Sequence, residues 1–524
     1  MDDRGQLTRR ELRKRKRRRE LLIKSIILVA LIVALIVVLW VIFGRGGKPK
    51  HDESSGTQTA STSSVSQSSQ STQPTQAPVQ TSSSAQGQPS GTSESMQPQN
   101  PGEGTGEPAA PGSREAIMAQ ASAMAVQYDY QGAIDLLYTI EGANTDADVV
   151  TMIADYETAK STLVATSPYY VTHVFFHSLV VDPARGFSIT DNESWNNGTV
   201  GFCEWMTTVY EFNAILQQMY DRGYVLVSIY DLVDITTDEN GVEHITPKDI
   251  YLPQGKTPFV MSLDDLCYYH SYDGRGCAIR MIVGEDGKPT CEYVDAEGNP
   301  LVGSYDCVPL LDDFLAIHPD FSYKGAKGTI ALTGYDGIFG YRTDYCYRDR
   351  VELTADQVAW LEVHPEYNWE WECQQATAVA NALRADGWTF ASHTWGHIRV
   401  GDAGMEWIQT DTQKWLEYVA PLIGGTDIII FAHGQDLAAW NEEYAESEKF
   451  KYLKSQGFSL YCNVDSSQYF VQIGDEYLRM GRRNLDGYRI WMAVYGGDDR
   501  VSDLFDAASV IDPARPIDPS LYQL

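Results

Sequence analysis

Residues 386–401 read DGWTFASHTWGHIRVG, a short apolar run followed by His393 and, four positions later, His397. A second apolar run, PFVMSL, leads in the same way into Asp264 and Asp265. In a parallel α/β barrel the functional groups lie at the carboxyl ends of the strands, where both stretches would fall. Two imidazoles and one carboxylate leave a coordination position open for water, as in catalytic zinc sites. The other carboxylate would then be the base that takes a proton from that water.

Outward from these two stretches, short β-rich apolar runs alternate with helical stretches. This alternation over about 350 residues predicts one α/β barrel of parallel strands rather than two domains. The seven predicted strands are YVTHVFF, YVLVSIY, PFVMSL, TIALTG, WTFAS, DIIIF and FSLYC. The longest departure, residues 283–303, contains two Gly-containing turns and predicts an inserted β-hairpin that shapes a binding site.

The amino terminus is basic although the whole chain is acidic. The first 50 residues carry 14 Lys+Arg and 4 Asp+Glu, whereas the net charge of the chain is −31. Residues 25–43 are apolar except for the first, which is long enough to span a bilayer. Most of the basic residues precede the span, so the positive-inside bias predicts a cytoplasmic segment 1–24 and a single-pass transmembrane signal anchor 25–43. The rest of the chain would be extracellular, and a cleaved signal peptide is the alternative.

Two further segments precede the predicted barrel domain, which covers residues 167–512. Residues 44–112 are rich in Ser, Thr, Gln and Pro and predict a disordered linker. Residues 113–166 have small and apolar residues at helical spacing on either side of EGANTD, which predicts a helical hairpin similar to one tetratricopeptide repeat. Such repeats need about three units to be stable alone, so a packed spacer is favoured over a peptide-binding module.

The cysteines and the charge limit the environment and the partners. Eight cysteines lie outside the predicted membrane segment, where disulfides persist, but spacing does not give their pairing and free thiols are the alternative. The acidic exterior has no basic stripe, which argues against nucleic acid as a partner. The oligomeric state has no signature in the sequence.

The chain resembles the NodB-homology polysaccharide deacetylases. Their first motif, usually Thr-Phe-Asp-Asp-Gly, is similar to SLDDL at residues 262–266, and their His-Ser/Thr-x-x-His motif is matched fully by HTWGH at residues 393–397. Residues 212–232 also resemble the helix and strand that precede the catalytic aspartates of that family. The resemblance covers roughly residues 169–495 and implies a distorted seven-stranded α/β barrel, in agreement with the predicted strands.

The resemblance also implies roles for the motif residues. Asp264 would be the catalytic base, and Asp265, His393 and His397 would bind a divalent metal ion. Zn²⁺ suits this donor set. The reaction would be hydrolysis of N-acetyl groups on a cell-surface polysaccharide such as peptidoglycan.

The chain departs from the family pattern in three places. Leu266 stands where the first motif normally ends in glycine. The Arg-Pro-Pro-Tyr-Gly segment has no match, and FAHG at residues 431–434 occupies the equivalent strand end. The Leu-x-His motif that supplies the acid is also missing. His433 is therefore the candidate for a catalytic acid contributed by this half of the barrel, and a histidine that caps the strand end is the alternative.

Several other residues have weaker functional claims. A solvated basic turn is expected at Arg482 and Arg483, with replacement of the missing family arginine as the alternative. His177 is expected to be structural, with a substrate contact as the alternative. The candidates for sugar contacts, which also suit simple packing, are Tyr335, Asp336 and Trp395.

Together these features predict a membrane-anchored, extracytoplasmic, metal-dependent polysaccharide deacetylase. The first alternative is a surface glycan-binding protein that keeps the barrel but lacks turnover. A protein-interaction role of the helical hairpin is the second. Either an N-acetyl or an O-acetyl group fits the predicted chemistry.

Overall fold

The computed structural model describes residues 110–188, 198–439 and 443–522, all within one compact unit, Gly102–Leu524. The predicted cytoplasmic segment and transmembrane anchor, residues 1–24 and 25–43, lie outside these ranges, as does nearly all of the predicted linker. Within the described ranges, no helix is both long enough and apolar enough to cross a membrane.

The secondary structure follows the predicted alternation of strands and helices. The strands are β1 (Val164–Thr166), β2 (Thr172–Phe176), β3 (Tyr224–Leu226), β4 (Val233–Thr237), β5 (Glu243–Pro247), β6 (Ile250–Leu252), β7 (Thr257–Asp264), β8 (Ala278–Val283), β9 (Pro289–Val294), β10 (Pro300–Gly303), β11 (Thr329–Leu332), β12 (Thr389–Ser392), β13 (Ile428–Ile430), β14 (Leu460–Val464), β15 (Val471–Gly474) and β16 (Tyr477–Asn484). The α-helices are α1 (Arg114–Val126), α2 (Tyr130–Leu137), α3 (Ala147–Ser161), α4 (Pro183–Gly186), α5 (Thr199–Trp205), α6 (Val209–Asp221), α7 (Cys307–Ile317), α8 (Tyr345–Asp349), α9 (Ala355–Val363), α10 (Trp369–Ala385), α11 (Met405–Tyr418), α12 (Ala420–Ile423), α13 (Glu448–Ser455), α14 (Gly487–Trp491) and α15 (Ala507–Val510).

Seven parallel strands close into a barrel in the order β2, β7, β11, β12, β13, β14, β16 and back to β2. Alternate residues of these strands pack into two separate apolar clusters. One cluster, which includes Val260, Ala391 and Met480, fills the barrel. The other contains the intervening strand residues, such as Met261, together with the apolar faces of α6, α7, α10 and α11. This alternation is what a filled barrel with an outer layer of helices requires.

The predicted number of barrel strands is confirmed, but one predicted member is wrong. The run YVLVSIY forms only β3, which pairs with the first residues of β7, as at Tyr224 and Thr257. The last residues of β7 pair along the same edge with β11, as at Asp264 and Ala331, so β3 lies outside the closed ring. The seventh ring strand is β16, where three arginines hide the apolar alternation of Leu478 and Met480.

Three helices occupy the segment for which the sequence predicts a two-helix hairpin. The first predicted helix divides into α1 and α2 because Tyr128 takes a left-handed conformation (φ 66°) and the Asp129 side chain caps α2 at Gly132. The three helices pack on one another through a small core of their own. Two hydrogen bonds attach them to the barrel domain, from the Tyr128 hydroxyl to Asp320 O (2.9 Å) and from Lys324 N to Gln127 O (2.8 Å).

The predicted insertion after β7 is present and is larger than expected. Its hairpin, β9 and β10, is joined by β8 to form a three-stranded antiparallel sheet. A further hairpin of β4 and β5, which the sequence analysis did not predict, lies between β3 and β7. All eight cysteines are free thiols, and seven of them are buried.

Candidate metal centre

The two stretches singled out in the sequence meet at the carboxyl ends of neighbouring strands. Asp264 ends β7 opposite Ala331 of β11, and the last residue of β11 pairs with the last residue of β12, just before His393. One ligand atom each from Asp265, His393 and His397 lies within 4.8 Å of the other two. The predicted three-ligand cluster is therefore formed at the barrel mouth.

Left-handed backbone conformations let these side chains converge from short turns. Asp265 (φ 58°), Thr394 (φ 63°) and His397 (φ 50°) all have positive φ values, which are uncommon for residues with a Cβ. Such conformations cluster at functional sites, where the surrounding structure holds them. Here the Asp411 carboxylate on α11 accepts hydrogen bonds from Trp395 N and Gly396 N, both 2.8 Å long, and so fixes the turn between the histidines.

Hydrogen bonds orient two of the candidate ligands. Nδ1 of His393 donates to the Ile430 carbonyl (2.8 Å), which leaves Nε2 as the ring nitrogen available to the cluster. The Tyr269 hydroxyl donates to Asp265 Oδ1 (2.7 Å), while Oδ2 lies 3.7 Å from His397 Nε2. Partners of this kind, behind the ligands, are usual in metal sites because they set the imidazole tautomer and the ligand orientation.

The protonation states also suit a metal ion. Burial lowers the pKa of His397 to about 4, so its imidazole is neutral at neutral pH. Burial alone would raise the pKa of Asp265, but His397, His393 and His177 face the carboxylate and hold its pKa below the usual range. A neutral imidazole and an ionised carboxylate are the forms that bind metals. Two nitrogens and one oxygen fit a divalent ion with a position left for water.

Asp264, the predicted base, is buried beside this cluster and paired with an arginine. Nη1 and Nη2 of Arg482 donate to Asp264 Oδ1 and Oδ2 at 2.7 and 3.0 Å. Burial acts to raise the pKa of Asp264, but the Arg482 guanidinium holds it well below the usual range. Oδ2 of Asp264 lies 3.9 Å from His393 Nε2. The base is thus kept ionised next to the candidate metal ligands.

The expected solvated basic turn at Arg482 and Arg483 is wrong. Both arginines belong to β16; Arg482 is fully buried, and Arg483 is buried and paired with Asp503. Arg482 comes two positions after Met480 and four after Leu478 on the same strand, so its side chain points into the barrel interior as theirs do. That period-two spacing is the signal that could have identified it.

His433 lies against the three candidate metal ligands. Its ring centroid is 4.3 Å from that of His397, and its Nε2 donates to the His397 carbonyl at 3.2 Å. Burial, together with the nearby Arg399, lowers the pKa of His433. The ring therefore lies beside a candidate ligand, and its nitrogen also makes the backbone hydrogen bond expected of a structural histidine.

His177 enters the same mouth from β2, which lies between β7 and β16. Phe176 pairs with Leu263, so the next position, His177, comes level with Asp264. Phe175 pairs with Asn484, which brings Asp486 level with His177 on the other side. Its Nδ1 is buried and has no hydrogen-bond partner among the described residues. The ring also packs against Phe175 and Trp205, with centroids 5.8 and 6.5 Å apart, so both the structural role and a substrate contact stay open for His177.

The three candidates for sugar contacts are engaged within the protein. The Tyr335 ring stacks on Tyr269, with centroids 4.8 Å apart and planes at 7°. The indole of Trp395 packs so closely on Gly334 that a Cβ added there would lie 2.1 Å from Cδ1. Asp336 is buried and accepts a hydrogen bond from the His270 backbone (2.9 Å). Tyr335 thereby packs on the tyrosine that donates to Asp265.

No protein-family profile matches the chain, and no curated protein matches it either. Among solved structures, the chain is similar to the Streptococcus pyogenes deacetylase PplD in complex with acetate. That likeness has a TM-score of 0.29 and 12% sequence identity, and it covers 61% of this chain and 93% of PplD.

Proposed function

We propose that this protein is a metal-dependent hydrolase that removes acetyl groups from an N-acetylated cell-surface polysaccharide. The observation that carries the proposal is the buried Asp264–Arg482 pair, which lies beside the cluster of Asp265, His393 and His397. The motif resemblance around these residues supports the same reaction. In this proposal residues 25–43 anchor the protein in the membrane and the barrel acts outside the cell.

The residues of the site divide the work of amide hydrolysis. Asp265, His393 and His397 would hold a divalent ion, which would polarise the acetyl carbonyl and acidify a water molecule. Asp264 accepts the proton of the attacking water, because Arg482 keeps its carboxylate ionised and fixed in orientation. The departing amine then needs a proton.

Two imidazoles are candidates for the group that donates this proton. His177 is favoured because its register places it level with Asp264 at the barrel mouth. His433, the candidate from the sequence, is the alternative. It is less favoured because its Nε2 is already hydrogen-bonded to the His397 carbonyl. The two rings belong to different strand ends, so single substitutions separate their roles.

His177→Ala is expected to lower acetate release about 10²- to 10⁴-fold with the metal retained, which is the usual contribution of a general acid or base. His433→Ala should cause a smaller loss. Acetate release from N-acetylglucosamine oligomers and metal content are measured for each variant. The reverse order of the two losses would assign the donor role to His433.

Arg482→Lys should move the acidic limb of the kcat/KM profile to higher pH. In the wild type the guanidinium holds the pKa of Asp264 low, so the base stays ionised as the pH falls. Lysine keeps the charge but loses the two parallel hydrogen bonds, so burial raises the pKa of Asp264 and protonation begins at higher pH. Arg483→Lys is the matched control, because Arg483 is the adjacent arginine and is paired with Asp503 instead. It should leave the acidic limb of the profile in place. An unmoved limb in Arg482→Lys would show that this arginine does not set the state of the base.

The proposed function is tested by incubating the metal-loaded protein with chitin oligomers and with peptidoglycan and measuring released acetate. Acetate release that depends on the metal supports the deacetylase. Glycan binding without acetate release would favour the alternative, a surface glycan-binding protein that keeps the barrel.

A further inference from the structure

A cavity lies on the mouth side of the barrel, outside the cluster of groups assigned to the reaction. It has a volume of about 670 Å³, is open to solvent, and is lined by β8, the loop after β11, α9, the segment between α9 and α10, and the start of α10. This volume lies within the range of small-molecule binding sites, about 300–1,000 Å³. β8 follows β7 in the chain, and α9 and α10 follow β11. The connections to these elements therefore start at the carboxyl ends of the strands, where the candidate metal ligands lie.

Aromatic rings form one wall of this cavity. Trp371 is 46% exposed, and its ring meets the edge of Tyr341 at a centroid distance of 6.1 Å. Trp360 stacks on His364 with centroids 4.1 Å apart, and Tyr367 meets the edge of Trp360 at 5.7 Å. A solvent-exposed indole fixed beside a rigid aromatic group offers a flat apolar face to a ligand.

The polar lining combines both signs of charge. Arg342 and Glu372 are buried side chains, and Arg342 N donates to Glu372 Oε2 at 2.9 Å. Glu366 also lines the cavity and is exposed. Arg280 and Asp273 complete a set of two guanidinium groups and three carboxylates. An anionic ligand would need an excess of cations. Donors and acceptors of both charges beside flat aromatic faces suit a neutral ligand with many hydroxyl groups and apolar ring faces, which is a sugar.

The loop that carries Tyr269 and His270 connects this cavity to the candidate metal ligands. The Tyr269 hydroxyl contacts Asp265, a candidate metal ligand, at 2.7 Å. The next residue, His270, has its ring centroid 5.9 Å from that of Trp360 in the cavity wall. One extended ligand that occupies both places would therefore follow the loop from Asp265 to Asp273.

We propose that this cavity is a second saccharide-binding subsite, which holds an N-acetylhexosamine unit of the glycan chain that is deacetylated at the metal centre. The part that concerns deacetylation rests on the proposed function, whereas saccharide binding in the cavity does not. The consequence is a preference for longer over short substrates, since a ligand that reaches both places gains contacts that a shorter one lacks.

Calorimetric titration of the metal-free protein with chitohexaose and with N,N′-diacetylchitobiose tests the subsite. Trp371→Ala should reduce the preference for the hexamer about three- to tenfold, as expected for loss of one aromatic contact. Glu366→Ala, an exposed substitution on the same wall, should act in the same direction. Trp407→Ala is the matched control, because Trp407 is 59% exposed on α11 and lies outside the cavity. Thermal unfolding verifies that each variant is folded.

Two results would overturn the subsite. The first is no binding of chitohexaose to the wild-type protein. The second is an unchanged preference for the hexamer in both Trp371→Ala and Glu366→Ala. Binding through Trp371 in a protein that releases no acetate from any glycan would leave the subsite standing and would remove the deacetylase proposal.

Discussion

Asp264→Asn is expected to abolish acetate release while the metal stays bound. The amide cannot accept the proton of the attacking water, and loss of a general base lowers the rate about 10²- to 10⁴-fold. Asp264 is not among the three candidate ligands, so the cluster of Asp265, His393 and His397 remains intact. Acetate release from chitin oligomers and metal content per chain are the two measurements.

The asparagine leaves the Arg482 guanidinium buried without its carboxylate, so part of the effect could come from reduced stability. Thermal unfolding of the variant separates the two causes. Asp313→Asn is the matched control. Asp313 belongs to the Asp312-Asp313 pair on helix α7, and its side chain is exposed. A folded Asp264→Asn protein with wild-type turnover would place the base elsewhere.

The sequence predicted the barrel because most of its strands carry uninterrupted apolar runs. β16 was missed for a physical reason: Arg479, Arg482 and Arg483 are all buried there, each paired with a carboxylate that is distant in the sequence. Arginines in such a number are typical of a solvated turn, and the pairing depends on the closed barrel. The opposite error was made for β3, whose apolar run predicted a barrel strand. It pairs only with the first residues of β7, whereas β11 pairs with the last residues of β7 and closes the barrel.

The cluster of candidate metal ligands was predictable because its residues follow strand ends and have a fixed spacing. The groups that support it were not. Asp411 and Tyr269 hold the turns that carry the ligands, but both look like ordinary residues of a helix and a loop. His177 was visible in the sequence, but only the register of β2 between β7 and β16 brings it level with Asp264.

Removing the imidazoles of His393 and His397 is expected to strip the metal from the protein. The wild type should hold about one divalent ion per chain, because two nitrogens and one carboxylate oxygen form a three-ligand set with an open position. Loss of even an outer-shell partner weakens metal binding about 10- to 100-fold, so loss of a direct ligand should exceed that range. Metal content after dialysis and metal titration of the metal-free protein measure the effect.

His433→Ala is the matched control for these two variants, since its ring lies 4.3 Å from His397 but belongs to none of the three ligands. It should keep the metal, whereas His393→Ala and His397→Ala should lose it and lose acetate release with it. Full metal occupancy in the double variant would contradict the assignment of the site. Loss of the metal in His433→Ala would instead make His433 either a third imidazole ligand or the support of His397, whose carbonyl it contacts.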